Sequence, residues 1–213
     1  MYRFKKQTWL TAGLLLTLTA CGGGGGDSTT TTATETTTAT ETVSTGAFID
    51  SAVEGLQYET ATRSGTTNSL GEYDYLAGET VTFSIGGIVL GSAIAGSVVT
   101  PLSLVPDATN ATNPMVTNIV RLLLSLDSDG DPDNGITISS EVTTAANDLA
   151  VDFSVADLSA DDGIISLLNN LPTLRLVSES VAQNHFNLTL AIKAKSTWGS
   201  LQWGSSQWRS ASQ

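Results

Sequence analysis

The stretch TVTFSIGGIVL, residues 80–90, decides the fold of this chain. Its apolar side chains Val81, Phe83 and Ile85 alternate with polar ones, and this period of two predicts a β-strand with one buried face. The two glycines that follow supply a turn, and the β-branched run after them predicts a second strand.

Similar short runs lie on both sides of this stretch. They are rich in aromatic and β-branched residues and are separated by glycines, as at Phe48-Ile49, at residues 56–60 and at Tyr73-Asp74-Tyr75. Short strands with turns this close together favour a small antiparallel β-sandwich. We therefore predict an α+β chain in which a sandwich over residues 46–105 packs with a helical region over residues 106–195.

The helical region begins with a strong start signal. Asn113 is a favoured N-cap, Pro114 suits the first turn, and apolar residues then recur at helical spacing at Met115, Ile119, Leu122, Leu123 and Leu126. Ser139 or Ser140 and Asp161 or Asp162 are candidate caps for two further helices. In the last helix we expect Val181, His185, Leu188 and Ile192 to share a face, with Phe186 and Leu190 paired four residues apart.

An aspartate-rich loop, residues 127–135, follows the first helix. Alternate acidic residues can turn their oxygens toward one centre, as in calcium loops, and Asp127, Asp129, Asp131 and Asp133 are the candidate ligands for Ca²⁺. The EF-hand pattern is incomplete, because Asn134 replaces the glycine and Ser140 stands where the bidentate glutamate belongs. The alternative is a solvated loop after a helix, held open by its own charges.

The N-terminus has the layout of an export signal. Residues 1–20 combine a basic start with an apolar run, and the run Leu18-Thr19-Ala20-Cys21 resembles the lipobox of bacterial lipoproteins. The resemblance implies that Cys21 is acylated and becomes the first mature residue. Gly22 after the cysteine is similar to the pattern of outer-membrane lipoproteins, and the Gly- and Thr-rich residues 21–45 are predicted to form a disordered linker.

Four runs in the strand region resemble a module that recurs in uncharacterised secreted proteins and lipoproteins of Gram-negative bacteria. They are GAFIDSAVEGLQY (46–58), GTTN (65–68), GEYDY (71–75) and GETVTF (78–83). Similarity is also seen in outline to the carboxypeptidase-regulatory or transthyretin-like sandwich. The resemblance continues to residue 136, covers about half of the chain, and implies an accessory or adhesive module without a catalytic centre.

Composition excludes several function classes. The chain carries 9 basic and 21 acidic side chains, a formal charge of −12, which disfavours nucleic-acid binding. With the single cysteine used by the lipid, neither a disulfide nor a zinc site has its ligands. His185, the only histidine, lies without a recognisable nucleophile motif and is expected to be a hydrogen-bonded structural residue.

These observations lead to one main expectation of function. We expect a non-catalytic lipoprotein of the outer membrane, held to the membrane by its lipid, that binds a protein or glycan or has a structural role in the envelope. The alternatives are a calcium-stabilised binding protein and an accessory or truncated part of a lipid-anchored secreted enzyme. The repeat around Trp198, Trp203 and Trp208, within residues 196–213, is expected to be a low-complexity tail.

Overall fold

The computed structural model describes residues 42–202, and the side chains of the last helix as far as Ala194. It confirms an α+β fold in which the strands precede most of the helices. The strands are β1 (Val43–Phe48), β2 (Val53–Glu54), β3 (Gln57–Glu59), β4 (Ser64–Thr66), β5 (Glu72–Leu76), β6 (Thr80–Ile85), β7 (Ile88–Ile94), β8 (Val98–Val99) and β9 (Ile136–Thr137). The helices are α1 (Pro114–Leu126), α2 (Ser140–Ala145), α3 (Asp162–Asn170) and α4 (Glu179–Gln202), with 3-10 turns at Pro101–Leu104, Pro132–Asn134 and Leu158–Ala160.

The hairpin predicted from residues 80–90 is present as β6 and β7. The two strands pair antiparallel, and Val81, Phe83 and Ile85 are fully buried, as their alternation predicts. The Gly86-Gly87 turn packs against the end of α2 so closely that a Cβ on Gly86 would lie 2.6 Å from the Thr143 carbonyl oxygen. These glycines are therefore needed for close approach as well as for the turn.

The sheets differ from the predicted all-antiparallel arrangement. One sheet has the order β4-β3-β6-β7 and is antiparallel, but the second, β5-β1-β8, is mixed because β1 pairs with β8 in parallel, and β2 pairs with β9 in parallel. The prediction of an antiparallel sandwich therefore holds for the four-stranded sheet and for the β1–β5 pair, but not for the pairs β1–β8 and β2–β9. Parallel pairs join segments far apart in sequence through long crossovers, so short-range turn signals do not reveal them.

Aromatic rings link the two larger sheets. Phe48 on β1 lies 4.7 Å from Phe83 on β6 between ring centroids, and Tyr73 on β5 meets Phe83 edge to face at 5.2 Å. All three side chains are buried. The strand β1 begins at Val43, so the predicted linker over residues 21–45 overlaps the first strand at its end.

Helix α1 lies at the centre of the core. As predicted, Asn113 is its N-cap, and its side chain accepts hydrogen bonds from the amides of Met115 and Val116. Every residue from Val116 to Leu126 is buried, including Arg121, whose Nε donates to the Val177 carbonyl at 3.0 Å. A helix buried on all sides is surrounded by other elements, and α1 contacts α4 and β9.

The predicted caps of the next two helices are confirmed. Ser139 caps α2 by accepting from the Val142 amide, and Asp161 caps α3 by accepting from the amides of Gly163 and Ile164. These side chains replace the intrahelical partners that the first amides of a helix lack.

The residues expected to share one face of α4 are not the ones that pack into the core. Ala182 and Phe186 are the fully buried residues, and Leu190 packs partly against the core, while Val181, Leu188 and Ile192 are exposed. The helix also continues to Gln202, beyond the predicted boundary of the helical region at residue 195. The sequence offers two apolar faces on this helix, and α1 packs against the one with the small Ala182 and the large Phe186.

Candidate functional site

The first candidate site is built around the tight turn between β1 and β2. Ile49 and Ala52 form an antiparallel bridge, which leaves Asp50 and Ser51 at the tip. The tip is covered by α4, because the main-chain carbonyl of Asp50 accepts hydrogen bonds from His185 Nε2 at 2.7 Å and from Thr189 Oγ1 at 2.9 Å. The donor role places the ring proton of His185 on Nε2, and the expected hydrogen-bonded histidine is confirmed.

The side chain of Asp50 is fully buried under this helix. Neither carboxyl oxygen has a hydrogen-bond partner, and His185 Nε2 lies 3.5 Å from Oδ1. Burial raises the pKa of Asp50 well above its ordinary value, because desolvation penalises the charged form. A protonated Asp50 carboxyl leaves no uncompensated charge in the interior.

The aspartate-rich loop contacts the same turn from another side. Ser51 Oγ donates to the Pro132 carbonyl at 2.7 Å, and the Ile136 amide donates to the Ala52 carbonyl at 2.9 Å. The turn is therefore held between α4 and the loop. No sequence pattern marked Asp50 as a buried residue, since a lone acid in a short turn is ordinarily exposed.

Within the loop, the carboxylates bind their own backbone. Asp129 accepts from the Asp131 amide at 3.0 Å and from the Asn134 side-chain amide at 2.9 Å, and Asp131 accepts from the Asp133 amide at 3.3 Å. The hydrogen bond from Asn134, followed by the bond from Asp131, lowers the pKa of Asp129. Hydrogen bonds of this kind are expected for the alternative interpretation, in which the acids belong to a solvated loop that binds no ion.

Asp127, the first of the four acids, caps the end of α1. Its Oδ1 accepts from the Thr137 amide at 2.9 Å, and burial, assisted by the charge of Asp129, raises its pKa. Over residues 42–202 the side chains of His, Cys, Asp and Glu do not come together in any group of three or more that would hold a metal ion. Calcium binding by the four acids stays a prediction.

The second candidate site is an open groove of about 710 Å³ beside the β3–β4 hairpin. Six of the ten residues that line it carry a carboxyl or hydroxyl group: Glu59, Thr60, Thr62, Glu79, Thr80 and Thr82. The amide of Leu76 donates to Glu79 Oε2 at 2.7 Å and thereby lowers the pKa of Glu79, which keeps this side chain anionic at neutral pH. Within this lining the exposed side chains of Glu59, Thr62 and Thr80 offer acceptors to a ligand rich in hydroxyl groups.

Several predicted features lie outside the described residues. These are the signal segment 1–20, the lipidation residue Cys21, the linker as far as residue 41, and Trp203 and Trp208 of the terminal repeat. In the part of the chain that the structure covers, none of the helices is long and apolar enough to cross a membrane.

Comparisons of the chain with protein-family models, with curated proteins and with solved structures find no match. The resemblance to a secreted Gram-negative module therefore rests on the four sequence runs quoted for it.

Proposed function

We propose that this chain is a lipid-anchored lipoprotein of the bacterial outer membrane whose folded part is a non-catalytic binding module for a glycan or another hydroxyl-rich ligand. The observation that carries the binding role is the groove lined by Glu59, Glu79 and four threonines. A volume of about 710 Å³ falls in the range of small-molecule sites, of roughly 300–1,000 Å³. The two facing sheets serve as a sandwich scaffold that holds the groove at one edge.

Two further features support a binding role over catalysis. The only histidine is engaged with the carbonyl of Asp50 beneath α4, where its ring Nε2 is already used as a donor. The hydroxyl of Thr189, one turn further along α4, donates to the same carbonyl. A catalytic histidine needs a ring nitrogen directed at a nucleophile, whereas the contacts described for His185 are with Asp50 and have a structural role.

The anchor is supported by the lipobox-like run that ends at Cys21. Metabolic labelling with palmitate should mark the chain, and Cys21→Ser should abolish the label. Gly22→Asp is the matched control, because it keeps the cysteine and should change only the membrane to which the labelled protein is sorted. Label on the Cys21→Ser protein would exclude the anchor.

The groove is tested by binding of the unacylated mature chain to a glycan array. We expect Glu59→Gln combined with Thr80→Ala to weaken binding about tenfold or more, because each change removes hydrogen bonds to the sugar. Glu141→Gln, which alters an exposed acid on α2, is the control and should bind like the parent. Equal binding by the groove variant and the parent would refute the site.

A further inference from the structure

Strand β6 buries one set of its side chains and presents hydroxyl groups on the opposite face. Every second position of the strand is fully buried, and the positions between them are Thr80, Thr82 and Ser84. Side chains two residues apart on a strand point to the same face and are separated by about 6.5–7 Å. Three hydroxyls therefore follow one another over about 13 Å on this outer face of the four-stranded sheet β4-β3-β6-β7.

The neighbouring strands continue the polar character of the outer face. Residues directly opposite one another on paired strands lie on the same face of a sheet. On β3 and β4, the residues in register with Thr82 and Ser84 are all polar: Gln57, Glu59, Ser64 and Thr66. On β7 the row meets Ser92, with Val89 and Ile94 at the edge of the sheet.

Two grooves follow one another along this face. The first groove is the one proposed above as the glycan site, and it includes Thr80 and Thr82. The second groove, of about 390 Å³, lies at the other end of β6 and includes Ser84 and Thr66. Glu59 lines both grooves, so they are continuous at this residue.

Most of the hydroxyls on this face are not used by the protein itself. In the part of the chain that the structure describes, the side chains of Ser64, Thr66, Thr80 and Ser84 form no hydrogen bond with another protein group. Thr82 differs, because its hydroxyl lies 2.7 Å from that of Ser92. Since each hydroxyl donates one hydrogen bond and accepts two, the row offers donors and acceptors to a bound ligand.

The charge of the two grooves restricts the ligand. Glu59 and Glu79 are the charged residues among those that line them, and the lowered pKa of Glu79 keeps this side chain anionic at neutral pH. Arg63, in the turn between β3 and β4, lines neither groove. Because like charges placed against each other weaken binding, the grooves disfavour a ligand that carries carboxylate or sulfate groups.

We propose that the outer face of the four-stranded sheet binds a linear, uncharged glycan chain that runs along β6 and fills both grooves. This inference rests on the proposed function, because the first groove is the glycan site proposed there. A single sugar reaches one groove, whereas a chain of several sugars meets another hydroxyl of β6 about every 7 Å. A protein partner fits this face less well, because serine and threonine are under-represented among the residues that anchor protein interfaces.

The test uses the mature chain from residue 21 with Cys21→Ser, which has no acyl group, and isothermal titration with cello-oligosaccharides and chito-oligosaccharides of increasing length. We expect the long chains to bind about tenfold or more tightly than the disaccharides, because they gain hydrogen bonds in the second groove. Oligogalacturonides, which carry a carboxylate on each sugar, should bind more weakly than neutral chains of equal length.

Thr66→Ala with Ser84→Ala removes two hydroxyls of the second groove and leaves the first groove intact. We expect this variant to lose the gain in affinity with chain length, by about tenfold for the long chains, and to bind the disaccharides like the parent. Ser128→Ala with Thr173→Ala is the matched control, because it removes two exposed hydroxyls in the loops after α1 and α3. Thermal unfolding checks that both variants remain folded.

Three results would overturn the inference: equal affinity for disaccharides and long chains, equal binding of long chains by the second-groove variant and the parent, or no binding of any neutral chain. The proposed function fails separately. If Glu59→Gln with Thr80→Ala weakens glycan binding but affinity does not depend on chain length, the first groove is a glycan site and the extended contact is refuted. If that variant binds the glycan array like the parent, the first groove itself is refuted.

Discussion

Asp50 lies in the β1–β2 turn and Asp129 lies in the loop that packs against this turn, but the first side chain is buried and the second is exposed. Asp50 is fully buried at the tip of the β1–β2 turn, and its carboxyl oxygens receive no hydrogen bond. Asp129 lies in the exposed loop that packs on this turn, and both of its oxygens accept hydrogen bonds from the loop itself. The surroundings therefore push the pKa values of two identical side chains in opposite directions.

The comparison shows that acid content alone does not determine how this chain responds to pH. A raised pKa, as for Asp50, means that folding takes up a proton, and the associated stability is lost as the pH rises through the folded pKa. A lowered pKa, as for Asp129, means that stability is present above the unfolded pKa and is lost as the pH falls. Variants that separate these two contributions test the comparison.

Removing His185 should have the largest effect. His185→Ala removes one of the two donors to the Asp50 carbonyl and also the ring that lies 3.5 Å from the buried carboxyl. We expect the free energy of unfolding at pH 7 to fall by about 2–4 kcal/mol. The buried Asp50 carbonyl loses a donor, and the buried Asp50 carboxyl loses the imidazole beside it. Urea denaturation followed by circular dichroism measures this change.

Thr189→Val is the matched control for this prediction. It removes the second donor to the same carbonyl but leaves His185 and the carboxyl untouched. The expected loss is about 0.5–1.5 kcal/mol, the usual contribution of one hydrogen bond. Equal losses of stability in the two variants would show that the imidazole of His185 does not stabilise the buried Asp50 carboxyl.

Replacing the buried acid should remove a pH dependence. In the parent chain, Asp50 lowers stability as the pH rises above about 4, by up to about 1.4 kcal/mol per pH unit until the folded pKa is passed. Asp50→Asn has no proton to lose, so its free energy of unfolding should vary less between about pH 5 and pH 8. The difference between the variant and the parent should thus grow in favour of the variant as the pH rises.

The control for this measurement is Asp129→Asn over the same pH range. Because the pKa of Asp129 is lowered, its titration lies below this window, and the variant should keep the slope of the parent. A parent-like slope in Asp50→Asn would show that the buried carboxyl is not the source of the dependence.

The sequence was sufficient for elements whose signals are local. The alternation around Phe83 predicts β6, and the Asn113-Pro114 pair predicts the start of α1 where the structure has it. The parallel pairs β1–β8 and β2–β9 were not predictable, because they depend on contacts between distant segments. Local periodicity also could not decide which apolar face of α4 meets α1.

The candidate site around Asp50 and the loop also combines features with a local sequence signal and features that depend on distant contacts. The loop acids were recognisable because four of them lie within residues 127–133, and His185 was recognisable as a structural residue because it is the only histidine. Asp50 was not, since its burial results from α4, which crosses the turn more than a hundred residues later in the chain. Burial of a polar residue by a distant element has no signature in a single sequence.

The smallest effect is expected in the loop. Asp129→Asn keeps an acceptor for the Asp131 amide but replaces the charged partner of Asn134 with a neutral one, so stability at neutral pH should decrease by less than in Thr189→Val. The difference from the parent should vanish in acid, as the pH falls below about 4 and through the lowered pKa of Asp129. Thermal unfolding with and without Ca²⁺ separates the two interpretations of the loop. Because the carboxylates already bind their own backbone, we expect the same midpoint in both conditions, whereas a calcium-dependent rise in the parent that Asp129→Asn abolishes would establish an ion site.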